Sequence, residues 1–387
     1  MNSREPGNIS FKGGHISAVS NKPTSLNVDN FQINFNNVIA FPGLINSHDH
    51  LDFNCFSPLG KRIYSNYTEW GNYIHKEYKQ DINSVLRIPI DLRATWGMYK
   101  NLLCGITTVI NHGPVLEIKD PLISIRQDFQ NLHSVKFEKG WIWKLNNLWL
   151  RKKRCIIHTG EGSDIQSSEE IDKLLKWNLF RRPLIGIHGV AMNEEQAKKF
   201  VALVWCPESN KVLLNKSANI SSLKDKTRIV FGTDSTLTGN WNIWNHLRLA
   251  RLTKQVNDSE LYEMISRSPC KLWHVNSGDL RIGKKSNIVI AKNKGAASQW
   301  DNFYLTDPED ILMVIHKGNI RLFDGQLSDQ LKQMNFDMTG FFPITINGIC
   351  KFVEGDLPRL MADIKKYYPQ AVFPCSVHDP INAIADA

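Results

Sequence analysis

The chain has 387 residues, of which 42% are hydrophobic and 22% charged, and its formal net charge is +9. This length suits one large domain with a smaller one appended, and the composition is that of a globular protein. No apolar run approaches the roughly 18 residues that a membrane-spanning helix needs, which argues against a transmembrane protein.

The start of the chain and its cysteines bear on the compartment. Residues 1–10 are polar and contain Pro6 and Gly7, so the apolar core of a signal peptide is missing. The seven cysteines are scattered and form no C-x-x-C pair, as expected of reduced thiols. We therefore expect a cytoplasmic protein.

The positive charge is spread along the chain. Its densest run, residues 151–154, leads directly into a predicted strand. We therefore expect no nucleic-acid partner. The lack of a membrane-spanning run predicts no membrane partner, and the expected partner is a small-molecule substrate. A homo-oligomer remains open.

Both ends of the chain have a β-rich pattern. Residues 9–19 predict a hairpin that turns at Gly13-Gly14. Residues 287–291 predict a strand, and residues 311–320 predict two strands with a turn at 317–319. These segments are expected to form one small β-sandwich that the central part of the chain interrupts.

The central part alternates short apolar strands with helical segments, which is typical of βα units around a parallel sheet. The predicted strands are 41–46, 106–111, 132–137, 155–158, 184–188, 202–206 and 228–232. The predicted helices are 93–104, 168–178, 193–200 and 241–256. The fold class is therefore α/β, with a (β/α)8 barrel. The stretch from His112 to His158 is short for two units, so either one unit is reduced or its strand lies near Trp141–Trp143.

These patterns divide the chain into four predicted parts. Residues 1–41 form the N-terminal part of the sandwich, residues 42–280 the barrel, and residues 281–326 the C-terminal part of the sandwich. Residues 327–387 are a C-terminal extension of unknown role, with a helical stretch at 357–367.

Residues with catalytic chemistry recur at the carboxyl ends of the predicted strands, where barrel enzymes place their sites. His48 and His50 follow the first strand and point to the same face, because side chains alternate along a strand. Later strand ends carry His158, His188 and Asp234.

We interpret His48, His50, His158 and Asp234 as ligands of one divalent metal. Imidazole and carboxylate donors suit zinc, and also iron(II) or manganese. Such an ion lowers the pKa of a bound water, so that hydroxide forms near neutral pH.

Three residues are assigned to the reaction itself. Asp234 can accept a proton from water, and Glu161, three residues after His158, can protonate the leaving nitrogen or a ring nitrogen. His188 is expected to orient the water or stabilise the developing oxyanion. Four residues close to the strand ends are candidates for contact with substrate: Asp52, Asn54, Asn111 and His112.

The motifs together resemble the amidohydrolase superfamily, in its mononuclear branch of cytosine and guanine deaminases and triazine chlorohydrolases. The resemblance extends over residues 9–320 or so and implies a distorted TIM (β/α)8 barrel, a split sandwich and metal-dependent hydrolysis. The motifs are Pro42-Gly43-Leu44-Ile45-Asn46-Ser47-His48-Asp49-His50-Leu51, His158-x-x-Glu161, His188-Gly189-Val190-Ala191, Trp205-Cys206-Pro207-x-Ser209-Asn210 and Gly232-Thr233-Asp234-Ser235.

Two departures narrow the prediction. No lysine lies clearly at the fourth strand end, which argues against a two-metal site bridged by a carbamate, although Lys144 leaves that alternative open. Residues 50–54 contain no glutamine, so a purine substrate has no support.

The predicted activity is hydrolytic deamination of a nitrogen-containing small molecule, heterocycles included, by a hydrolase of carbon–nitrogen bonds other than peptide bonds. The alternatives are an amidase, lactonase or chlorohydrolase of the same superfamily, and a catalytically silent scaffold.

Overall fold

The computed structural model describes residues 7–21 and 31–377. The strands in this part of the chain are β1 (Asn8–Lys12), β2 (His15–Ser20), β3 (Val38–Pro42), β4 (Leu44–Asp49), β5 (Ile106–Asn111), β6 (Ser124–Arg126), β7 (Gln130–Ser134), β8 (Cys155–Thr159), β9 (Leu184–His188), β10 (Ala202–Trp205), β11 (Arg228–Phe231), β12 (Ile288–Lys292), β13 (Ile311–His316), β14 (Asn319–Asp324), β15 (Phe341–Ile346), β16 (Ile349–Glu354) and β17 (Ser376–Val377). The helices there are α1 (Tyr67–Glu77), α2 (Lys79–Leu86), α3 (Ile90–Leu103), α4 (Trp141–Leu145), α5 (Ile165–Trp177), α6 (Glu194–Ala197), α7 (Pro207–Leu214), α8 (Ile220–Leu223), α9 (Ile243–Leu252), α10 (Asp258–Met264), α11 (Arg267–Trp273), α12 (Gln299–Tyr304), α13 (Ser328–Gln333) and α14 (Leu357–Tyr367).

The central strands are parallel and lie in two sheets. One has the order β4-β5-β6 and the other β11-β10-β9-β8-β7, so neighbours in each sheet follow the order of the chain. Most of these strands are short apolar runs buried along their whole length, as parallel strands covered by helices on the outside require. The structure is therefore of the α/β class.

The first and last parallel strands, β4 and β11, meet at one edge. The backbone N–H groups of Thr233 and Asp234 both donate to the carbonyl oxygen of His48, at 3.1 Å. Gly232 makes this approach feasible, because a Cβ atom at that position would lie 2.7 Å from Cβ of His48. The approach brings the chain after β11 against the histidines of β4.

The chain between β5 and β8 contains a reduced βα unit, which was one of the two predicted alternatives. Only residues 127–129 separate β6, which pairs with β5, from β7, which pairs with β8, and no helix lies between them. The alternative, a strand near Trp141–Trp143, is wrong. Trp141 and Leu145 are buried while Trp143 between them is exposed, and this four-residue spacing is that of a helix.

A seven-stranded antiparallel sheet joins residues from both sides of the parallel region. Its order is β17-β15-β16-β14-β13-β12-β3, and β3 pairs with β12 so that Phe41 lies opposite Val289. The hairpin β1–β2 turns at Gly13-Gly14 as predicted and forms a sheet of its own. Backbone hydrogen bonds from Ile16 to Lys284 and from Gly283 to Ile16 attach the hairpin to the loop before β12.

The predicted boundary at residue 326 does not mark the end of the sheet, and the described part of the extension is not separate from it. The strands β15, β16 and β17 belong to the seven-stranded sheet, where Phe352 of β16 lies opposite Phe323 of β14. The turn between β15 and β16 is Asn347-Gly348, with both residues at positive φ. This dipeptide is a strong local hairpin signal. The helical stretch predicted at 357–367 is α14.

Among the described residues, no helix has the length and apolar character needed to cross a membrane. All seven cysteines are unpaired.

Candidate metal centre and active site

The histidines of the first parallel strand lie at its carboxyl end. His48 is the fifth residue of β4, and His50 follows the strand directly. The Nε2 atom of His48 is buried and has no hydrogen-bond partner. A buried nitrogen without a partner is unfavourable unless something absent from the polypeptide accepts its lone pair.

The histidines of β8 and β9 are held in one tautomer. The Nδ1 atom of His158 donates to the carbonyl oxygen of His133 at 2.9 Å, and Nδ1 of His188 donates to Oδ1 of Asn210 at 2.8 Å. Because Nδ1 carries the proton in both rings, each Nε2 atom has a free lone pair. This is the state in which neutral imidazole binds a metal.

Asp234 completes the group from the end of β11. Its Oδ1 atom lies 3.5 Å from Nε2 of His48 and 3.6 Å from Nε2 of His50. Its Oδ2 atom accepts hydrogen bonds from the hydroxyls of Ser209 and Thr238, both at 2.9 Å. These donors fix the carboxylate with one oxygen facing the histidines.

Two residues of the site have a left-handed backbone. His188 has a φ of +72° and Asp234 a φ of +59°. Each such non-glycine conformation costs about 1–3 kcal/mol and persists where the surrounding structure enforces it. Both side chains are thereby directed to the point where the strand ends meet.

The arrangement fits a divalent metal ion. Nε2 of His50 lies 3.4 Å from Nε2 of His158, whose proton is on Nδ1, so a cation bound between the two rings could use both Nε2 lone pairs. Ligand atoms within 4.8 Å of one another form two overlapping groups: His48, His112 and His158, and His48, His188 and Asp234. The described residues thus contain a potential histidine–aspartate metal site.

Burial keeps most of the imidazoles in the ligand form. It lowers the pKa of His50 to about 3 and that of His188 to about 4, and it lowers the pKa values of His112 and His158 well below the ordinary range. Neighbouring histidines lower the pKa values of His50, His112 and His158 further. These four rings are therefore neutral at pH 7, as metal binding requires.

Glu161 is a buried carboxyl that lies next to His188. Its Oε2 atom is 3.5 Å from Nε2 of His188. Burial first, and then the charges of Asp234 and Glu170, raise the pKa of Glu161 well above its ordinary value. A carboxyl that stays protonated at neutral pH can act as a general acid.

A second buried carboxyl, Glu170 of α5, lies close to Glu161 and was not among the sequence-based candidates. The hydroxyl of Tyr67 donates to both oxygens of Glu170, at 3.3 and 3.2 Å, and the backbone N–H of Tyr67 donates to the carbonyl of Glu161 at 2.9 Å. Burial raises the pKa of Glu170 to about 7. In the sequence, Glu170 is one of several acidic residues in and around a helix. Only its contacts in the structure identify it as a buried carboxyl near the site.

Glu170→Gln is expected to make the stability of the protein less dependent on pH. The pKa of Glu170 is about 7 in the folded protein against an ordinary 4.5, so between these values the folded protein holds a proton that the unfolded chain has released. The stabilising contribution of protonated Glu170 is fully present below about pH 4.5 and is lost as the pH rises through about 7. The free energy of unfolding falls by about 3 kcal/mol over this range. Urea unfolding across this range measures it. The exposed neighbour Glu169 supplies the control Glu169→Gln, and equal slopes for both variants would contradict the assignment.

A buried polar network lies directly behind His48 and His50. Asp49, between His48 and His50, is fully buried and accepts hydrogen bonds from Lys100 at 2.9 Å, Asn101 at 2.7 Å and Asn54 at 2.9 Å. The Nζ atom of Lys100 also donates to Oδ1 of Asn54 at 3.0 Å. The network therefore fixes the backbone that carries both histidines.

The same network reaches the loop of Asp234. Oδ1 of Asn46 accepts from the backbone N–H of Thr233 at 3.1 Å, and Oδ1 of Asn54 accepts from that of Thr236 at 3.2 Å. The side chains of β4 and the loop after it thus connect the segment of His48 and His50 to the loop of Asp234.

Of the four residues predicted to contact substrate, three have polar groups that interact with other residues of the protein. Asp52 lies 3.6 Å from Arg93, and Asn54 belongs to the network around Asp49. Asn111 accepts from the backbone of Leu51 and donates to the carbonyl of Pro114 and to Gln127. We correct these three assignments to structural roles, because proximity in sequence to the metal histidines does not decide which way a side chain points.

His112 is the one predicted contact residue that lies in the site with unused polar atoms. Its ring centroid is 4.5 Å from that of His158 and 5.3 Å from that of His48. Both ring nitrogens are buried without a partner. They are available to a substrate or to a metal.

Two further residues were missed as members of the site. His133 of β7 has its ring centroid 5.2 Å from that of His158 and also supplies the carbonyl that orients it. Its position in a predicted strand was the signal that could have identified it. Asn210, the last residue of the Trp205–Asn210 motif, orients His188 through its side chain.

Lys144, which kept the two-metal alternative open, lies on α4 and forms an ion pair with Glu138. It is an exposed residue outside the metal site.

Comparison with known protein families agrees with the resemblance. Residues 153–321 match the amidohydrolase family, a range that includes His158, Glu161, His188 and Asp234. The 5-methylthioadenosine/S-adenosylhomocysteine deaminase of Caldicellulosiruptor saccharolyticus is 28% identical over 200 residues, which cover 44% of this chain and 47% of that enzyme. The match thus spans about half the length of the curated relative. The predicted resemblance to amidohydrolases is confirmed over residues 153–321.

Solved structures of the same fold cover nearly the whole chain. An adenosine deaminase from Xanthomonas campestris with bound zinc has a TM-score of 0.69 at 14% identity, covering 94% of this chain and 93% of that one. An atrazine chlorohydrolase from Arthrobacter aurescens TC1 complexed with zinc has a TM-score of 0.66 at 17% identity, covering 93% and 95%. A guanine deaminase from C. acetobutylicum has a TM-score of 0.59 at 15% identity, covering 81% and 94%. At these identities the likeness is one of fold.

Proposed function

We propose, on the premise that this chain is an amidohydrolase relative over residues 153–321, that it is a metal-dependent hydrolase that deaminates a nitrogen-containing small molecule. One observation carries the proposal: the side chains of His48, His112, His158, His188 and Asp234 converge at the ends of parallel strands, and Glu161 lies 3.5 Å from His188. The same end of the strands is where barrel enzymes carry out their chemistry.

The proposed ligands are His48, His50, His158 and Asp234, and zinc is the proposed ion. The donor set suits zinc, with iron(II) and manganese as alternatives. When bound, the ion lowers the pKa of water so that hydroxide is available near neutral pH.

The chain's own residues then handle the protons. Burial alone would raise the pKa of Asp234, but the close approach of His48, whose Nε2 atom lies 3.5 Å from Oδ1, lowers it well below its ordinary value, so the carboxylate can accept a proton from water. Glu161, protonated, can donate its proton to a ring nitrogen or to the departing amine. His188, whose Nδ1–H is held by Asn210, keeps Nε2 directed at this point.

The parallel strands are proposed to form one distorted barrel. Their order follows the chain, and β4 and β11 are joined by the hydrogen bonds from Thr233 and Asp234 to His48. The zinc-containing relatives of known structure support this reading because they match the fold over nearly the whole chain. The antiparallel sheet and the hairpin β1–β2 are the proposed counterpart of the sandwich.

His112 is the proposed substrate contact. Replacing His112 with phenylalanine keeps an aromatic ring in a buried position but removes both nitrogens. We expect KM to rise by roughly 10-fold to 100-fold, as for a lost buried hydrogen bond, with the metal content unchanged. Steady-state kinetics with metal analysis tests this, and loss of the metal would show instead that His112 is a ligand.

Ammonia release from a substrate panel tests the proposed activity. The panel should contain aminopyrimidines, aminotriazines, adenosine-type compounds and guanine, together with amides, lactones and chlorotriazines. Ammonia release from the ring amines, absent in His48→Ala, supports deamination. Hydrolysis of only the amides, lactones or chlorotriazines would reassign the enzyme within the superfamily. No hydrolysis with a correctly bound metal would favour the catalytically silent scaffold.

The cytoplasm is the proposed compartment. The seven unpaired cysteines, five of them buried, support a reducing environment.

A further inference from the structure

A cluster of large apolar side chains is exposed on the surface formed by residues 141–154 and 173–183, which we call the basic–aromatic patch. Trp149 is 95% exposed and Trp143 is 84% exposed. Leu148, Leu179 and Phe180 are exposed as well. A contiguous group of this kind marks a surface that contacts something else.

Hydrogen bonds join the two segments of the patch. The side chain of Asn146 donates to the carbonyl of Trp177 at 2.8 Å and accepts from the backbone N–H of Leu179 at 3.1 Å. The buried guanidinium of Arg182 donates to the carbonyls of Leu145 and Lys153, both at 3.0 Å. The hydrogen bonds therefore hold the two segments, and their exposed side chains, in one ordered surface.

The charge of the patch has a single sign. Its two segments contain nine lysines and arginines and no aspartate or glutamate. Lys144, Arg154 and Arg182 have partners in Glu138, His274 and Gln130. The other six cations are exposed and, among the described residues, form no ion pair: Arg151, Lys152, Lys153, Lys173, Lys176 and Arg181.

We propose that the basic–aromatic patch binds the surface of a membrane that contains anionic lipid. Tryptophan favours the interface between lipid and water, and lysine and arginine are attracted to anionic headgroups. A second copy of the chain fits poorly, because two such patches facing each other would bring like charges together. Nucleic acid fits less well, because stacking on bases uses aromatic rings but has no need of exposed Leu148 and Leu179.

The position of the patch is compatible with an active enzyme. Arg154 directly precedes β8, and residues 181–183 precede β9, whereas His158 and His188 lie near the opposite ends of these strands. Five residues of strand separate the two ends by about 16 Å. A protein docked through the patch would leave the metal site facing the aqueous side. The proposal replaces the expectation of no membrane partner, which rested on the absence of a membrane-spanning apolar run.

Co-sedimentation of the full-length protein with lipid vesicles tests the proposal. Vesicles of phosphatidylcholine with about one-third phosphatidylserine are compared with pure phosphatidylcholine. We expect binding to the anionic vesicles alone. Arg151→Gln/Lys152→Gln/Lys153→Gln should weaken it by on the order of 100-fold, and Trp143→Ser/Trp149→Ser by at least about tenfold.

The matched control is Lys79→Gln/Lys119→Gln/Lys254→Gln, which removes the same charge from exposed lysines elsewhere and should bind as the wild type does. Unchanged metal content and thermal unfolding show that each variant is folded. Absence of vesicle binding, or equal loss in the patch and control variants, would overturn the proposal. So would retention on single-stranded RNA without vesicle binding, or a dimer that Trp143→Ser/Trp149→Ser dissociates.

Discussion

Glu161→Gln is expected to lower kcat by about 10²-fold to 10⁴-fold while the protein keeps its metal. Glutamine preserves the size and burial of the side chain but cannot deliver the proton that a protonated carboxyl holds, and general acid catalysis contributes an effect of this order. Burial and the charges of Asp234 and Glu170 raise the pKa of Glu161 well above its ordinary value, which favours the protonated carboxyl that an acid catalyst needs. Activity of the wild type should fall as the pH rises through this pKa, and the variant should lack that limb of the profile.

Steady-state kinetics across pH, with metal analysis of each sample, measures this. The metal content is the control, because Glu161 is not a proposed ligand. A variant that turns over at the wild-type rate, or that loses its metal, would contradict the assignment of Glu161 as the acid.

Lys100→Met is expected to destabilise the protein by about 3–5 kcal/mol, the usual effect of removing one partner of a buried ion pair. The Nζ atom of Lys100 and the carboxylate of Asp49 lie 2.9 Å apart and both are fully buried. Methionine fills a similar volume, so the loss reports mainly the uncompensated charge of Asp49. Because Asp49 lies between His48 and His50, we also expect weaker metal binding.

A second buried pair offers a matched control. Lys351 donates to Asp324 at 2.7 Å in the antiparallel sheet, remote in sequence from the metal ligands, and it is also fully buried. Lys351→Met should destabilise the fold by a similar amount without changing the affinity for metal. Urea unfolding and metal titration of both variants separate the two effects. Equal metal affinity in the two variants would show that the network behind β4 has no part in positioning the ligands.

The parts of the site that could be predicted depend on local patterns. Strand periodicity places His48 and His50 on one face, and the rule that barrel chemistry lies at strand ends selects His158, His188 and Asp234. Each of these inferences needs only a few residues of sequence around it. The hairpin at Asn347-Gly348 has an equally local signal in its Asn-Gly dipeptide, but this turn was not among the predicted elements.

The remaining features depend on contacts between distant segments. Asn54 lies four residues after His50, yet its side chain turns to Lys100 of α3, which is remote in sequence. Glu170 becomes notable only because Tyr67 and Glu161 surround it. The sequence likewise does not predict the exposure of Trp143 and Trp149, because tryptophan is ordinarily expected to be largely buried.

The most direct test of the account is the metal content of the wild type and of His48→Ala after dialysis against zinc, measured by inductively coupled plasma mass spectrometry. His48 is a proposed ligand whose buried Nε2 atom has no partner in the polypeptide. A single-metal site predicts about one zinc per wild-type chain and almost none in the variant. A wild-type protein that binds no metal, or a variant that retains as much as the wild type, would contradict the account.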